Sequence, residues 1–240
     1  MTTHPIIFTG ESVRAILAGR KTQTRRLMKP QPVEDTESRW PGWKFPSAKA
    51  RSMVTLAEAA CLGPYGGRGD TLWVRETWAG RVDIDGAADP AKARHYVMYR
   101  ADSAADPSDL NNWHDYGGRW RSPRYMPRWA SRITLLVTSV RVERVQEITE
   151  DDAEAEGVDE MDGMVDDAAI CRAAKAAGVM VESRAAQFGA LWDSINGKRA
   201  PWSANPWVWV IGFEIDTSTA RAVTAEESDR SQVADVSDSK

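Results

Sequence analysis

The side chains best suited to chemistry lie close together near the beginning of the chain, where Lys21, Thr22 and Thr24 occur within a run of arginines. The run places an amine and two hydroxyls in a basic turn, which suits a site for an anionic or nucleobase ligand. In a regular strand Lys21 and Thr24 would point to opposite faces, so a shared site requires the segment to turn or the lysine to fold back. We expect a turn, and its other candidate ligand-contacting residues are Arg20, Thr22, Arg25 and Arg26.

The same pattern also fits an ordinary surface feature. Runs of charge usually face solvent, so Lys21, Arg25 and Arg26 equally describe a solvated basic turn. In that alternative Thr24 stabilises the turn locally and has no chemical role. The residue types alone therefore leave both interpretations open.

A short amphipathic helix is predicted immediately before the basic turn. Val13, Ile16 and Leu17 recur at the spacing of one helix face. Thr9 is expected to cap the start of this helix, and Gly19 suits the left-handed conformation that often follows a helix end. The end of the helix thus fixes where the basic turn begins.

A second group of candidate residues pairs aromatic rings with arginines. The chain has 11 tryptophans, many of them beside Arg, Pro or Gly. Trp129 and Arg132 can stack on a base and pair with a phosphate, and Trp73 with Arg75 can do the same. The alternative for Trp129 is a core anchor at a strand entrance, with Arg132 solvated. For Arg75 and Glu76 an exposed pair is favoured over a place in the cleft.

The length, charge and cysteine content of the chain limit the classes of protein to which it can belong. A chain of 240 residues fits one elaborated domain, which we favour, or two small ones. With 31 basic and 35 acidic residues it lacks the basic excess of a dedicated duplex DNA binder. Cys61 and Cys171 are too isolated for a zinc site or a disulfide framework, so no metal or other cofactor is expected. No signal or membrane-spanning segment is apparent, which predicts a cytoplasmic protein with no membrane partner.

The remaining patterns alternate between strands and helices. A helix with an acidic first turn is predicted from Thr149 to Gly157, which places Glu156 at its end. Two further helices are predicted over about 165–177 and around 188–195, and strands over 71–78, 132–145 and 207–215. Residues 30–68 suggest a long irregular connection, 80–131 an insertion, and 216–240 a disordered acidic tail. The sum predicts an α+β domain over 1–215, built on a small, mainly antiparallel barrel-like sheet with flanking helices.

Four of these segments, in this order, resemble the ASCH domain, a branch of the PUA-like superfamily, and in particular its longer phage and prophage members. The matching segments are residues 16–26, 69–74, 150–157 and 207–213. The resemblance implies a small β-barrel with helices beside a central cleft. Small bacterial members of the family hydrolyse N4-acetylcytidine to cytidine and acetate without a metal. Their lysine, threonine and glutamate fall on Lys21, Thr24 and Glu156, but this chain is considerably longer, with insertions that can enlarge, cover or repurpose the cleft.

Amide hydrolysis by these residues makes definite demands. Thr24 would supply the attacking hydroxyl, and Lys21 can accept its proton only if the amine is neutral, which requires burial or nearby cations. Glu156 can orient the lysine or move a proton, although a close carboxylate also stabilises the charged amine. The competing hypothesis is a non-catalytic module that binds RNA or a modified nucleobase in the same cleft. The expected partners are accordingly a nucleoside or nucleobase and, in the second case, RNA.

Overall fold

A computed structural model describes residues 1–37, 42–47, 49, 52–80, 97–102, 119–158 and 165–217 of the chain. Its strands are β1 (Thr3–Ile7), β2 (Gln23–Leu27), β3 (Val33–Asp35), β4 (Gly42–Ser47), β5 (Ser52–Thr55), β6 (Thr71–Arg75), β7 (Trp78–Gly80), β8 (Val97–Tyr99), β9 (Thr134–Arg144) and β10 (Trp207–Ile215). Its helices are α1 (Gly10–Leu17), α2 (Leu56–Leu62), α3 (Glu150–Ala155), α4 (Asp167–Ala177) and α5 (Arg184–Asn196).

The fold is α+β, with one large sheet in the order β1-β6-β9-β10-β2. Strands β1 and β6 are parallel, and the other three pairings are antiparallel. Within the described residues β1 and β2 remain at opposite edges, so main-chain pairing does not close this sheet into a barrel. The side chain of Arg26 nevertheless joins the two edges, because its Nη2 donates to the main-chain oxygen of Ile7 at 2.6 Å.

The large sheet separates two hydrophobic cores, and β10 shows why. Trp209 and Ile211 lie in the first core, together with buried apolar residues of α1 and β6, because residues two apart on a strand share a face. Val208 and Val210 point to the other face and pack among the helices α3, α4 and α5. The alternation of β10 thus holds the helices on one side of the sheet and α1 on the other.

The expected irregular connection over residues 30–68 is wrong. This segment contains the three-stranded antiparallel sheet β3-β4-β5 and the helix α2. Thr55 and Glu58 form a capping box at the start of α2, a signal that the many prolines and glycines of the segment obscured. Phe45 packs edge-on against Trp209 at 5.5 Å between ring centroids, which attaches the small sheet to the first core.

The predicted helix ends are confirmed where local capping chemistry defines them. The Thr9 side chain accepts a hydrogen bond from the Ser12 amide, and the Thr149 side chain accepts one from the Asp152 amide. Gly19 and Gly157, with φ of 75° and 78°, adopt the left-handed conformation that follows each helix.

Two other expectations are changed or lie outside the described residues. The predicted strand over 71–78 is divided, because β6 ends at Arg75 and a separate strand begins at Trp78. Much of the predicted insertion over 80–131 lies outside the described residues, as does the predicted tail from residue 218 onward. The boundaries of these segments as insertions and tail stay predictions.

Candidate functional site

The turn after α1 places Lys21 directly before β2. The amides of Arg20 and Lys21 both donate to the main-chain oxygen of Ala15, at 2.9 and 3.1 Å, which wraps the chain around the C-terminal end of α1. Gly19 takes the left-handed conformation that this reversal needs. Lys21 therefore lies outside the strand, and the alternation that would have separated it from Thr24 does not apply.

The next residue, Thr22, connects this turn to two distant elements through its main chain. Its amide donates to the main-chain oxygen of Ala155 at the end of α3, at 2.9 Å. Its carbonyl accepts from the amide of Phe213 at 2.8 Å, beside the register shift in β10 at Gly212. The Thr22 side chain is exposed and lies outside the cleft lining, as does that of Arg20. Thr22 thus acts in this fold as a main-chain link that brings the end of α3 to Lys21.

Lys21 and Glu156 meet as a buried ion pair. Lys21 Nζ donates to Glu156 Oε2 at 2.8 Å and to the main-chain oxygen of Glu156 at 2.7 Å. The two residues are 5% and 3% exposed. Burial lowers the pKa of Lys21 below its usual 10.5, although the Glu156 carboxylate acts in the opposite direction. The pair therefore provides a shielded amine whose neutral form is more accessible than in water.

Arg25 contacts the other carboxylate oxygen of Glu156 and compensates part of its negative charge. Its side chain has no exposed surface, and it donates to Glu156 at 3.5 Å, to Asp152 at 2.9 Å and to Glu143 at 3.2 Å. Arg141 also donates to Asp152, at 2.6 Å. Partial burial opposes ionisation of Asp152, but the hydrogen bonds from Arg141 and Arg25 hold its pKa at about 2. Asp152 is thus fully charged at neutral pH, and together with Glu143 and Glu156 it fixes the guanidinium of Arg25 in place.

Sequence analysis missed this carboxylate cluster, although two signals for it are present. Asp152 lies in α3 and Glu156 caps its end four residues later, so their side chains share one face of the helix. Arg141 and Glu143 are two residues apart on β9 and share one face of the strand. These spacings predict two charged patches, but they do not show that the patches meet at Arg25.

Thr24 lies on the wall of a cleft with a volume of about 1060 Å³. It is 4% exposed, and its side chain makes no hydrogen bond within the described part of the chain. Lys21 and Glu156 line the same cleft, so the fold brings together the three residues that the family resemblance selects. Helix α5 also lines the cleft, and its apolar side chains there are Phe188, Leu191, Trp192 and Ile195.

Arg26 also lines the cleft, from the strand face that carries Thr24. The guanidinium lies over the Phe8 ring at 4.9 Å from its centroid. Burial lowers the pKa of Arg26 below its usual range, against the raising effect of Tyr65 and Glu156. Arg26 still remains charged at any ordinary pH.

The second group of predicted binding residues does not line the cleft. The guanidinium groups of Arg75 and Arg128 lie over the Trp73 ring at 5.2 and 5.7 Å, and Trp129 packs edge-on against Trp78 at 6.1 Å. The rings that were proposed to stack on bases are therefore already in contact with protein groups.

Arg132 and Glu76 form a second buried ion pair. Arg132 donates to both carboxylate oxygens of Glu76, at 2.9 and 3.0 Å, and to Asp102 at 2.6 Å. Glu76 is 1% exposed, so the expected exposed pair with Arg75 is wrong. Its carboxylate lies directly after β6 and meets Arg132 in the interior. Only Asp102 of this group reaches the cleft.

Comparisons with models of known families, with curated proteins and with solved structures found no match to this chain. Among the described residues no group of three or more His, Cys, Asp and Glu side chains is placed to hold a metal ion. None of the described helices combines the length and apolar character needed to cross a membrane.

Proposed function

We propose that the cleft hydrolyses the amide bond of an acylated pyrimidine nucleoside or base, for which N4-acetylcytidine is the reference substrate. The observation that carries this proposal is the buried contact of 2.8 Å between Lys21 and Glu156, in the cleft that Thr24 also lines. An amine, a hydroxyl and a carboxylate in one shielded cleft are the groups that amide hydrolysis without a metal requires.

The reaction follows from the roles of these groups. The neutral amine of Lys21 takes the proton from Thr24 Oγ1, and this oxygen attacks the acyl carbonyl carbon. The carbon–nitrogen bond then breaks, and the exocyclic nitrogen leaves with the proton from Lys21. Water attacks the resulting Thr24 ester, which releases acetate and restores the hydroxyl. Glu156 orients the amine and moves protons between these steps.

Burial of Lys21 supports this scheme, because a general base works best when its pKa is close to the working pH. No hydrogen bond joins Lys21 to Thr24 in the described residues. Contacts of this kind often form only when the substrate is bound.

Turnover of N4-acetylcytidine by the full chain tests the proposal, with cytidine and acetate as the measured products. Thr24→Val removes the hydroxyl at nearly constant volume and is expected to lower kcat by at least about 10³-fold. Thr24→Ser keeps a hydroxyl and should retain measurable turnover. Thr138→Val changes an exposed threonine of β9 outside the cleft and is the matched control. Absence of cytidine, or a Thr24→Val variant as active as the control, would refute the hydrolase.

A second candidate is a non-catalytic module that binds a modified nucleobase or RNA. The two hydrogen bonds from Lys21 to Glu156 favour it, since they also stabilise a charged amine suited to holding a carbonyl or phosphate oxygen. This candidate requires affinity for N4-acetylcytidine or RNA without product formation. It also requires Lys21→Met to weaken that affinity while Thr24→Val leaves it unchanged.

We further propose that the α+β fold is a PUA-like barrel of the type found in longer phage and prophage ASCH proteins. The support is the order of the four resembling segments and the antiparallel pairing of β9, β10 and β2. The bridge from Arg26 to Ile7 adds to it, because it spans the gap between the sheet edges. Main-chain pairing of β1 with β2 in an experimental structure would establish closure, and separated edges would exclude it.

A further inference from the structure

Arg26 differs from Arg25 and Arg132, both of which form ion pairs with carboxylates. Arg25 donates to three carboxylates and Arg132 to two. Arg26, which is partly buried, has no carboxylate within salt-bridge distance among the described residues. One of its nitrogens donates to the Ile7 carbonyl at 2.6 Å, and its buried Nε has no hydrogen-bond partner.

The Nε of Arg26 has therefore lost hydrogen bonds to water without gaining one from the described residues of the protein. A guanidinium removed from water normally has its charge paired and its donors satisfied, because an unmade hydrogen bond of a charged group costs about 1–3 kcal/mol or more. The face of the Phe8 ring compensates only partly, since a cation over a ring is worth about 0.5–2 kcal/mol. The Nη1 group of Arg26 is not among its buried atoms and makes no hydrogen bond within the described residues, so it is available to a ligand in the cleft.

The position of Arg26 identifies the ligand atom. Side chains two residues apart on a strand point to the same face, and their Cα atoms are about 7 Å apart. A guanidinium at the end of a long side chain can thus reach an atom beside the Thr24 hydroxyl. An acyl carbonyl group under attack by Thr24 presents its oxygen within this range.

We propose that Arg26 binds the acyl carbonyl oxygen of the substrate and stabilises the negative charge that develops on it when Thr24 attacks. This assignment rests on the proposed hydrolase function. Arg26 supplies no proton, because a guanidinium does not deprotonate in proteins. The oxygen keeps its negative charge until the carbonyl re-forms and the carbon–nitrogen bond breaks. Charge that develops only during the reaction is the charge that such a donor stabilises most effectively.

The kinetics of Arg26→Gln test this role. Loss of one donor to an oxyanion typically lowers kcat by about 10²–10³-fold. We expect that loss for Arg26→Gln with KM changed by less than about threefold, since the interaction strengthens only in the transition state. Arg172→Gln replaces an exposed arginine of α4 outside the cleft and should match the wild-type chain.

Arg26 also bridges β1 and β2, so a purely structural role must be separated from a chemical one. Circular dichroism and thermal unfolding of each variant report the structural part. Added methylguanidinium should restore turnover to Arg26→Ala if the missing charge limits the reaction, whereas it cannot repair a disturbed sheet edge. If Arg26→Gln does not fold, Arg26→Lys decides. It keeps the positive charge, so a kcat within about tenfold of the wild-type value supports the proposal, and a larger loss in a folded variant overturns it.

The outcomes distinguish this proposal from the proposed function. Full activity of Arg26→Gln in a chain that Thr24→Val inactivates overturns the role of Arg26 and leaves the hydrolase intact. A wild-type chain that neither hydrolyses nor binds N4-acetylcytidine overturns both. If the wild-type chain binds without turnover, a tenfold loss of affinity in Arg26→Gln retains Arg26 as the group that holds the carbonyl oxygen, and unchanged affinity removes that assignment as well.

Discussion

Replacing Glu156 with glutamine is the most direct test of the buried ion pair. The change keeps the size of the side chain but removes the charge that faces Lys21 at 2.8 Å and Arg25 at 3.5 Å. Removing one partner of a buried pair usually costs about 3–5 kcal/mol, and the retained amide oxygen places the expected loss near the lower value, about 3 kcal/mol. For a chain of this size that corresponds to a decrease in Tm of roughly 6–12 °C.

The same variant has an expected pH dependence. Burial already lowers the pKa of Lys21 below 10.5, and without the carboxylate that opposes this effect the pKa falls further. Between the lowered pKa and 10.5 the unfolded chain binds more protons than the folded chain, so stability rises with pH in this window. Glu156→Gln widens this pH window. The free energy of unfolding that the variant loses relative to the wild-type chain should therefore become smaller as the pH rises toward 10.5.

Urea unfolding followed by tryptophan fluorescence at several pH values measures both effects. The matched control is Glu154→Gln on the same helix, because the Glu154 side chain is 60% exposed and its contact with Arg184 is 4.0 Å long. Such a surface pair contributes about 0–1 kcal/mol. If Glu156→Gln and Glu154→Gln cost the same, or if the deficit of Glu156→Gln does not vary with pH, the buried pair is not the interaction described here.

Two further substitutions test other parts of the framework. Gly157→Ala forces a side chain into a left-handed conformation and against two Cβ atoms at 3.4 Å, whereas Gly178→Ala has the same backbone penalty and open space around it. Urea unfolding should show Gly157→Ala to be the less stable by about 1 kcal/mol, the lower end of the cost of overpacking, because contacts at 3.4 Å need only a small shift of the neighbours. Equal stability would contradict the packing at the end of α3. Burial raises the pKa of Glu76, and Arg132 opposes that rise. Arg132→Gln should therefore raise the pKa of Glu76 further, and the stability lost by this variant should grow as the pH rises above 4.5. A loss that is constant between pH 4.5 and 7.5 would contradict burial of that carboxylate.

The parts of the fold that sequence could predict are those that local chemistry decides. Thr9 and Thr149 cap helices through hydrogen bonds to residues only three positions away, so the residue type and the following pattern are sufficient. Glu76 shows the opposite case. Its partner Arg132 is 56 residues away, and nothing near Glu76 in the chain distinguishes a buried carboxylate from an exposed one. The large number of prolines and glycines before residue 68 likewise concealed three strands and a helix.

The candidate site was predictable in the same uneven way. The resemblance to a family selected Lys21, Thr24 and Glu156, and the fold places all three in one cleft. Trp129 and Arg132 looked equally suitable by residue type, yet they contact other protein groups instead. An aromatic ring beside an arginine is compatible with a binding surface and with a packed ion pair, and only the tertiary contacts decide which of them forms.

The charge balance around Glu156 connects the ion pair to the proposed chemistry. With Lys21 protonated, Glu156 compensates its charge directly at 2.8 Å. When Lys21 gives up its proton, the buried carboxylate of Glu156 would lose its nearest counter-charge, and the guanidinium of Arg25 at 3.5 Å then becomes the cation that supports it. Arg25 remains charged in both states and is held by Asp152 and Glu143. Four charged groups thus stabilise both protonation states of Lys21, namely Glu156, Arg25, Asp152 and Glu143. A general base must pass through both states in every turnover.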